Sequence, residues 1–229
     1  MVKIERYRKN IGTLTKEENE KLSSFRICVV GCGGLGGYII EMLARLGIGH
    51  ITAVDSDVFE ESNLNRQLLS NTETLGKHKA LIAKDRIRLV NNQVELTPVV
   101  ERISDSNAES ILKGHDVIID AVDSIDARFV LQNVASKLDI PFVHGAIAGW
   151  YGQISTILPG DNTLAKIYPD RCKEGLEKEI GNPSFTPAMV ASVQIAEVIK
   201  ILFKKGGLLR NKLLYVDLLE HDYITVDLH

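Results

Sequence analysis

The sequence has few cysteines and no strong excess of either charge. Its three cysteines, Cys28, Cys32 and Cys172, are too few for a disulfide framework and contain no C-x-x-C pair, so no zinc site built from thiolates is expected. The 27 basic and 30 acidic side chains give a net charge of −3. This balance argues against nucleic acid as a partner, because phosphate binding requires a basic surface.

Long hydrophobic runs are also missing from the sequence. No apolar run approaches the roughly 18 to 20 residues that span a bilayer, and the charged residues 1–10 contain no apolar segment typical of a secretory signal. Together with the low cysteine content, these absences predict a cytoplasmic protein that makes no contact with a membrane.

The sequence does contain a regular alternation of strand and helix patterns. Hydrophobic residues make up 45% of the 229 residues, which suits a single α/β domain over residues 1–229. Buried strands are predicted at 26–31, 51–55, 94–100, 116–121 and from 141, and helices at 35–46, 77–90 and 125–138. Alternation of this kind predicts a Rossmann-like parallel sheet with helices on both faces.

The pattern changes after residue 149. The later elements are predicted as a strand (152–158), a long substrate-side surface loop (161–184), a helix (187–204) and a hairpin of two strands (213–218 and 223–228). The sheet is therefore predicted to be mixed, parallel in its first half and antiparallel at the far edge. Residues 1–25 are predicted to form an N-terminal arm and a short helix, which Thr15 and Glu18 open as a capping box.

A glycine-rich loop follows the first predicted strand. It carries the pattern G-x-G-x-x-G through Gly31, Gly33, Gly34 and Gly36, between a strand and a helix, as a nucleotide-binding loop requires. Asp55 ends the second strand, where an acidic residue can accept hydrogen bonds from ribose hydroxyls. These features predict a nucleotide or dinucleotide site and do not yet distinguish NAD from ATP.

Charged residues after the other strands favour ATP. The carboxyl ends of parallel strands meet at one edge of a sheet, which would bring Arg66 and Lys79 close to the phosphates. Asp57 and Asp123 would add carboxylates there, one of which could bind Mg²⁺. Two cations and a metal suit a triphosphate under attack rather than hydride transfer. Taken alone, Lys79 could equally be a solvated charge and Asp123 a helix N-cap.

Together these motifs resemble the ThiF/MoeB/HesA family, the bacterial relatives of ubiquitin-activating enzymes. The resemblance covers about residues 5–204, and the motifs that carry it are the glycine loop with Asp55, NLNRQ at 63–67, GKHKA at 76–80 and DAVD at 120–123. Members of this family bind Mg·ATP and adenylate the C-terminal Gly-Gly carboxylate of a small carrier protein, and they are typically homodimers.

The resemblance also implies roles for individual residues. Asp55 matches the ribose-binding acid, Asn65 and Arg66 match phosphate contacts, and Asn63 of the same run is expected at the nucleotide. Lys79 matches the phosphate-binding lysine and Asp123 the metal-binding aspartate. Arg66, Lys79 and Asp123 are thus the expected catalytic residues.

Three departures from the family pattern bear on function. Where an N-terminal arginine of relatives reaches the partner subunit's ATP, this chain has Lys9 with Arg8 beside it. The residue after the metal aspartate is Ser124 instead of asparagine, and the paired zinc cysteines are missing, so no zinc is expected. Cys172 lies in the predicted loop between two cations, which favour a reactive thiolate. A packing or surface role for this cysteine stays open.

The sequence therefore predicts an ATP- and Mg²⁺-dependent adenylyltransferase that activates the Gly-Gly terminus of a small ubiquitin-like sulfur-carrier protein. Two rivals remain. One is adenylation of another substrate within the same family, such as a tRNA base or a peptide. The other is an NAD-dependent oxidoreductase, which would share the glycine loop and Asp55. The sequence leaves open the carrier, the sulfur donor and the pathway, whether thiamine, molybdopterin or another.

Overall fold

A computed structural model of the protein describes residues 5–170 and 177–228. Eight strands form one sheet in the order β3-β2-β1-β4-β5-β6-β7-β8. The strands are β1 (Arg26–Val30), β2 (His50–Val54), β3 (Glu95–Val99), β4 (Val117–Asp120), β5 (Phe142–Ala148), β6 (Tyr151–Ile157), β7 (Lys212–Asp217) and β8 (Asp222–Asp227). The strands β1 to β5 pair in parallel and β5 to β8 pair antiparallel. The predicted mixed sheet and terminal hairpin are confirmed.

Helices cover both faces of this sheet. In the described residues they are α1 (Lys16–Lys21), α2 (Gly34–Leu46), α3 (Lys79–Val90), α4 (Ala108–Leu112), α5 (Ile125–Lys137), α6 (Thr163–Ile167), α7 (Glu177–Ile180) and α8 (Phe185–Phe203). Short 3-10 turns lie at Arg8–Asn10, Leu22–Ser24 and Glu61–Asn63. Gly47 ends α2 in the left-handed conformation that glycine adopts readily at the C-terminus of a helix.

The alternation of side chains along the strands divides the core in two. In β1, Ile27 and Val29 pack into one cluster with the apolar side chains of α2, α3 and α8. Cys28 and Val30 point to the opposite face and pack with those of α4, α5 and α6. A parallel strand that is buried on both faces has a continuous apolar sequence, and for this reason β1 could be predicted from the sequence.

Two parts of the prediction need correction. Residues 161–184 were expected to be a surface loop throughout, but α6 and α7 lie within them. Both helices are short, at five and four residues, so neither produces a visible apolar period in the sequence. The helix α4 was missed for the same reason.

The helix predicted at 187–204 is α8, at Phe185–Phe203, and it corrects the expectation that no apolar run approaches the length of a membrane span. Its 19 residues are long and apolar enough to cross a membrane, by length and composition only. In the structure α8 packs on α2 and on the sheet, and its buried residues include the polar Gln194 and Glu197. Its apolar character is therefore accounted for by its position over the centre of the sheet.

Candidate active site

A cavity of about 360 Å³ opens at the carboxyl ends of the parallel strands. Among the predicted site residues, those that line it are Gly31, Gly33, Gly34, Asp55, Asp57, Arg66, Lys79 and Asp123. They come from five separate chain segments, which the strand order gathers where β1 lies between β2 and β4. An open α/β sheet binds its ligands at such a point, where connections leave in opposite directions.

The glycine loop packs tightly against the neighbouring strand end. Gly31 has φ +97°, and a Cβ there would lie 2.3 Å from the Ala121 carbonyl oxygen. A Cβ on Gly36 would lie 1.7 Å from the Gly31 carbonyl oxygen. The helix α2 begins at Gly34, at the cavity wall, and its first N–H groups have no partners within the helix. Such a helix start is suited to bind an anion.

Substitution of Gly36 tests this packing. We expect Gly36→Ala to lower the free energy of unfolding by about 3 kcal/mol, because the new methyl group would displace backbone atoms of the loop. Thermal unfolding followed by circular dichroism measures the change. Gly207→Ala is the control, since a Cβ at that position would meet no atom within 4 Å. Equal melting temperatures for the two variants would contradict the close approach seen at Gly36.

Asp55 connects the glycine loop to β2. Its carboxylate accepts hydrogen bonds from the Cys32 N–H at 2.7 Å and from the Asp57 N–H at 2.8 Å. Burial raises the pKa of Asp55, and the two amide donors and Lys79 oppose that rise. Each carboxylate oxygen keeps a further lone pair, so Asp55 could still accept a hydrogen bond from a ribose hydroxyl.

Lys79 is a buried cation at the cavity wall. Its side chain is 9% exposed, and its ammonium lies 3.2 Å from Oδ2 of Asp57, whose side chain is 65% exposed. The alternative of a solvated surface lysine is therefore wrong. Asp57 also accepts the Lys79 backbone N–H through its own carbonyl at 3.0 Å, which sets where α3 begins.

Arg66 lies beside the glycine loop, since a Cβ on Gly34 would lie 3.9 Å from its Cγ. Its guanidinium donates to the Ser62 carbonyl at 2.8 Å and to the Asn65 side chain at 2.9 Å. Asn65 in turn donates to the Asn182 carbonyl at 3.2 Å. Asn63 is buried, and its side-chain oxygen accepts the Glu60 N–H at 3.1 Å. Asn63 thus shapes the run that carries Arg66, and a direct nucleotide contact through Asn63 or Asn65 stays a prediction.

Asp123 is exposed in the cavity at the turn after β4. It does not cap α5, because the cap is Ser124, whose hydroxyl accepts the Ala127 N–H at 3.4 Å. Within residues 5–170 and 177–228, no group of three or more His, Cys, Asp or Glu could hold a metal ion. A site with one carboxylate beside phosphate-binding groups suits Mg²⁺, which in phosphate sites takes most of its ligands from phosphates and water.

The sequence as a whole matches the family model of the ThiF family over residues 7–229.

The chain belongs to the ThiF family.

Several curated members of the ThiF family resemble this chain over nearly its full length. A SAMP-activating enzyme E1 of Haloferax volcanii is 34% identical over 228 residues, covering 97% of this chain and 84% of the relative. A sulfur carrier protein adenylyltransferase of Thermus thermophilus is 33% identical over 216 residues, covering 90% of this chain and 80% of the relative.

Solved structures share the fold at lower identity. The E. coli tRNA N6-threonylcarbamoyladenosine dehydratase TcdA, solved in complex with ATP, superposes with a TM-score of 0.76 at 23% identity. The match covers 88% of this chain and 95% of that one. A structure of PaaA gives a TM-score of 0.82 at 22% identity, covering 99% of this chain and 74% of that one. This chain thus shares its fold with both solved proteins.

Some residues of this ThiF-family cavity were not predicted from sequence. The additional lining residues include Gln67, Glu101, Arg102, Ile103, Asp126, Arg128, Ile147 and Asn182. Gln67 adjoins the NLNRQ arginine and could have been included on that ground. Glu101 to Ile103 follow β3, and the rule that ligands bind at strand ends could have found them. Arg128 and Asn182 lie outside the quoted motifs, and only the folded chain brings them here.

Two of the three cysteines of this ThiF-family chain, Cys28 and Cys32, lie in the part that the structure describes. Cys28 and Cys32 are fully buried, and burial raises the pKa of both thiols, so they stay protonated. Each packs in one of the two hydrophobic clusters of the core. Cys172 lies outside the described residues, and so its role as a thiol nucleophile stays a prediction. His144 is buried, and its Nδ1 lies 2.7 Å from Oδ2 of Asp120.

Proposed function

We propose that this protein uses ATP and Mg²⁺ to adenylate the C-terminal Gly-Gly carboxylate of a small ubiquitin-like sulfur-carrier protein, releasing pyrophosphate. The observation that carries the proposal is that Arg66, Lys79 and Asp123 line the same cavity as the glycine loop. Relatives named as a sulfur carrier protein adenylyltransferase and as a molybdopterin-synthase adenylyltransferase support the reaction type and the class of substrate.

The chemistry is an in-line displacement at the α-phosphorus. A carboxylate oxygen of the carrier forms a bond to that phosphorus, the bond from the phosphorus to the bridging oxygen breaks, and pyrophosphate leaves with the electron pair. No general base is needed, because a C-terminal carboxyl group with a pKa of about 3.5 is ionised at neutral pH. The enzyme acts by positioning and by neutralising charge.

Each cavity residue has a proposed role in this reaction that follows from its position. The start of α2, the ammonium of Lys79 and the guanidinium of Arg66 would bind phosphate oxygens. Asp55 would orient the ribose. Asp123 would hold Mg²⁺, which when bound supplies positive charge to the departing pyrophosphate. Fixed positive charge in these places costs no reorganisation during the reaction.

ATP–pyrophosphate exchange tests the proposal. Radiolabelled pyrophosphate should enter ATP only when a carrier with a free Gly-Gly carboxylate is present, and a carrier lacking its last glycine is the control. Exchange with one carrier and not with others from the same organism would identify the substrate. Exchange with a tRNA or short peptide alone, or none with any Gly-Gly carrier, would refute the choice of substrate. We further propose a cytoplasmic location, as expected for a biosynthetic enzyme.

The N-terminal arm supports a homodimer. Asn10 donates to the Leu46 carbonyl at 3.1 Å, and Tyr7 packs on Gly47, so Arg8 and Lys9 lie at the C-terminal end of α2. Gly34, at the other end of this 13-residue helix, is about 18 Å away at 1.5 Å per residue. The arm therefore cannot reach its own cavity in this position, and contact with ATP by Arg8 or Lys9 would have to come from a second subunit.

Mixing two inactive variants tests that arrangement. An Arg8→Ala/Lys9→Ala variant lacks the arm cations, and an Asp123→Asn variant lacks the metal carboxylate. In a mixed dimer, one site combines an intact cavity with an intact arm, so we expect mixing to restore exchange to about a quarter of the wild-type rate if subunits reassort randomly. Light scattering checks the dimer. Activity unaffected by loss of both arm cations would contradict the contact in trans.

A further inference from the structure

A cluster of buried polar side chains lies directly behind the turn that carries Asp123. We call Asp120, Arg128, His144 and Tyr168 the Asp120 cluster. The side chains of Asp120 and His144 are fully buried, and that of Arg128 is 9% exposed. Tyr168 is half-buried, and its hydroxyl also accepts a hydrogen bond from Gln153. The cluster joins the end of β4 to α5, β5 and the residue after α6.

The hydrogen bonds of the cluster fit one assignment of protons. Burial lowers the pKa of His144, so its ring is neutral and carries one N–H. Nδ1 donates that hydrogen to Oδ2 of Asp120 at 2.7 Å, and Nε2 then accepts from the Tyr168 hydroxyl at 3.3 Å. The charge of Asp120 is balanced by Arg128, whose Nε lies 3.4 Å from Oδ2. These contacts join β4, β5, α5 and the residue after α6 in one connected buried network, and such a network stiffens the segments that it joins.

This network holds the peptide group on each side of Val122. Oδ1 of Asp120 accepts the Val122 N–H at 3.0 Å, and Nη2 of Arg128 donates to the Val122 carbonyl at 2.8 Å. Nη1 of the same guanidinium donates to the Tyr168 hydroxyl at 3.1 Å. Asp123 is the next residue, and it is followed at once by the cap of α5 at Ser124. The backbone on both sides of Asp123 is thus fixed, while its side chain stays exposed in the cavity.

We propose that Arg128 is a positioning residue that sets the place of the Asp123 carboxylate for Mg²⁺, with Tyr168 holding the Arg128 guanidinium in turn. This inference rests on the proposed metal role of Asp123. Arg128 is suited to this role because its planar guanidinium contacts Asp120, Val122 and Tyr168 at once, which the single ammonium of a lysine cannot do. Groups that orient a metal ligand typically change metal affinity about 10- to 100-fold when they are altered.

The test measures ATP binding by calorimetry at increasing Mg²⁺, without a carrier, so that no adenylation occurs. For Arg128→Lys we expect the half-saturating Mg²⁺ concentration to rise about tenfold. ATP affinity in EDTA should stay within about twofold of wild type, because the phosphate-binding groups are unchanged. Tyr168→Phe should shift the Mg²⁺ dependence in the same direction by a smaller factor. Arg86→Lys is the matched control, since Arg86 pairs with Glu41 between α2 and α3.

The outcomes separate positioning from a purely structural role. A structural role would lower the melting temperature or the active fraction and leave the Mg²⁺ dependence of the folded protein unchanged. A folded Arg128→Lys variant with wild-type Mg²⁺ dependence would therefore overturn the proposal. If that variant does not fold, Tyr168→Phe decides by the same criterion. A wild-type protein that binds ATP without any dependence on Mg²⁺ would refute the metal role of Asp123 itself, which is a distinct failure.

Discussion

Lys79→Ala should reduce ATP–pyrophosphate exchange at least a hundredfold. The ammonium is almost fully buried at the cavity wall and is the one cation that Asp57 holds there among the described contacts. Charge stabilisation in a site that excludes water is worth far more than at the surface, and loss of one such group typically costs about 10²- to 10³-fold in rate. Exchange rates at saturating ATP and carrier measure the loss.

Lys77→Ala is the matched control for this variant. Lys77 lies two residues earlier in the same segment and is exposed, so its loss removes the same charge from the chain without entering the cavity. We expect near wild-type exchange from it, because an isolated solvated charge contributes little. The fold of Lys79→Ala should persist, since Asp57 is largely exposed and does not become a buried unpaired charge. Retention of more than a tenth of the wild-type rate by Lys79→Ala would contradict the assignment.

Much of the fold could be predicted because the chain marks its elements clearly. The helix predicted at 35–46 lies at Gly34–Leu46, and the Thr15 and Glu18 capping box forms as expected. Both signals are local, since a glycine stop and a capping box each act within a few residues. The helix α4 has no such signal, because one turn and a half of helix is too short to display a period.

The position of the site was predictable for a different reason. Parallel strands place their carboxyl ends at one edge, so Asp55 and Asp123 had to lie near the glycine loop once the order of elements was known. Side-chain pairing was less predictable. Arg128 and Tyr168 are 40 residues apart, and each belongs to no recognised motif, so only the packing of α5 against the residue after α6 brings them together.

Asn63 shows that membership in a motif does not by itself define how a residue acts. Its place in the NLNRQ run suggested a nucleotide contact, whereas its side chain is buried and closes the 3-10 turn at Glu61–Asn63. A buried amide that accepts a backbone N–H near the site can still be essential, since it shapes the loop that presents Arg66. Membership in a motif thus indicates that a residue matters, and the structure adds a supporting role for Asn63 to the predicted nucleotide contact.

Asp123→Asn should have opposite effects on ATP binding with and without metal. In EDTA the substitution removes a negative charge from a cavity built for phosphates, so ATP affinity should stay equal or increase. With Mg²⁺ present the same change removes the carboxylate that binds the metal. ATP affinity should therefore fall, and the rate of exchange should drop about 10²-fold or more. Calorimetry in the two buffers and the exchange assay measure the three values.

Asp126, another acidic residue that lines the cavity near Asp123, makes this prediction specific. Asp126 lies in the first turn of α5 and also lines the cavity, so Asp126→Asn removes an equal charge three residues away. If Asp123 is the metal ligand, Asp126→Asn changes ATP affinity in the same direction in EDTA and in Mg²⁺. If the change in ATP affinity instead has opposite signs in the two buffers for Asp126→Asn and not for Asp123→Asn, Asp126 is the metal ligand. Asp85→Asn, on the exposed face of α3, controls for the change in net charge. The sign of the effect therefore identifies the carboxylate, since a loss of stability would move both measurements in one direction.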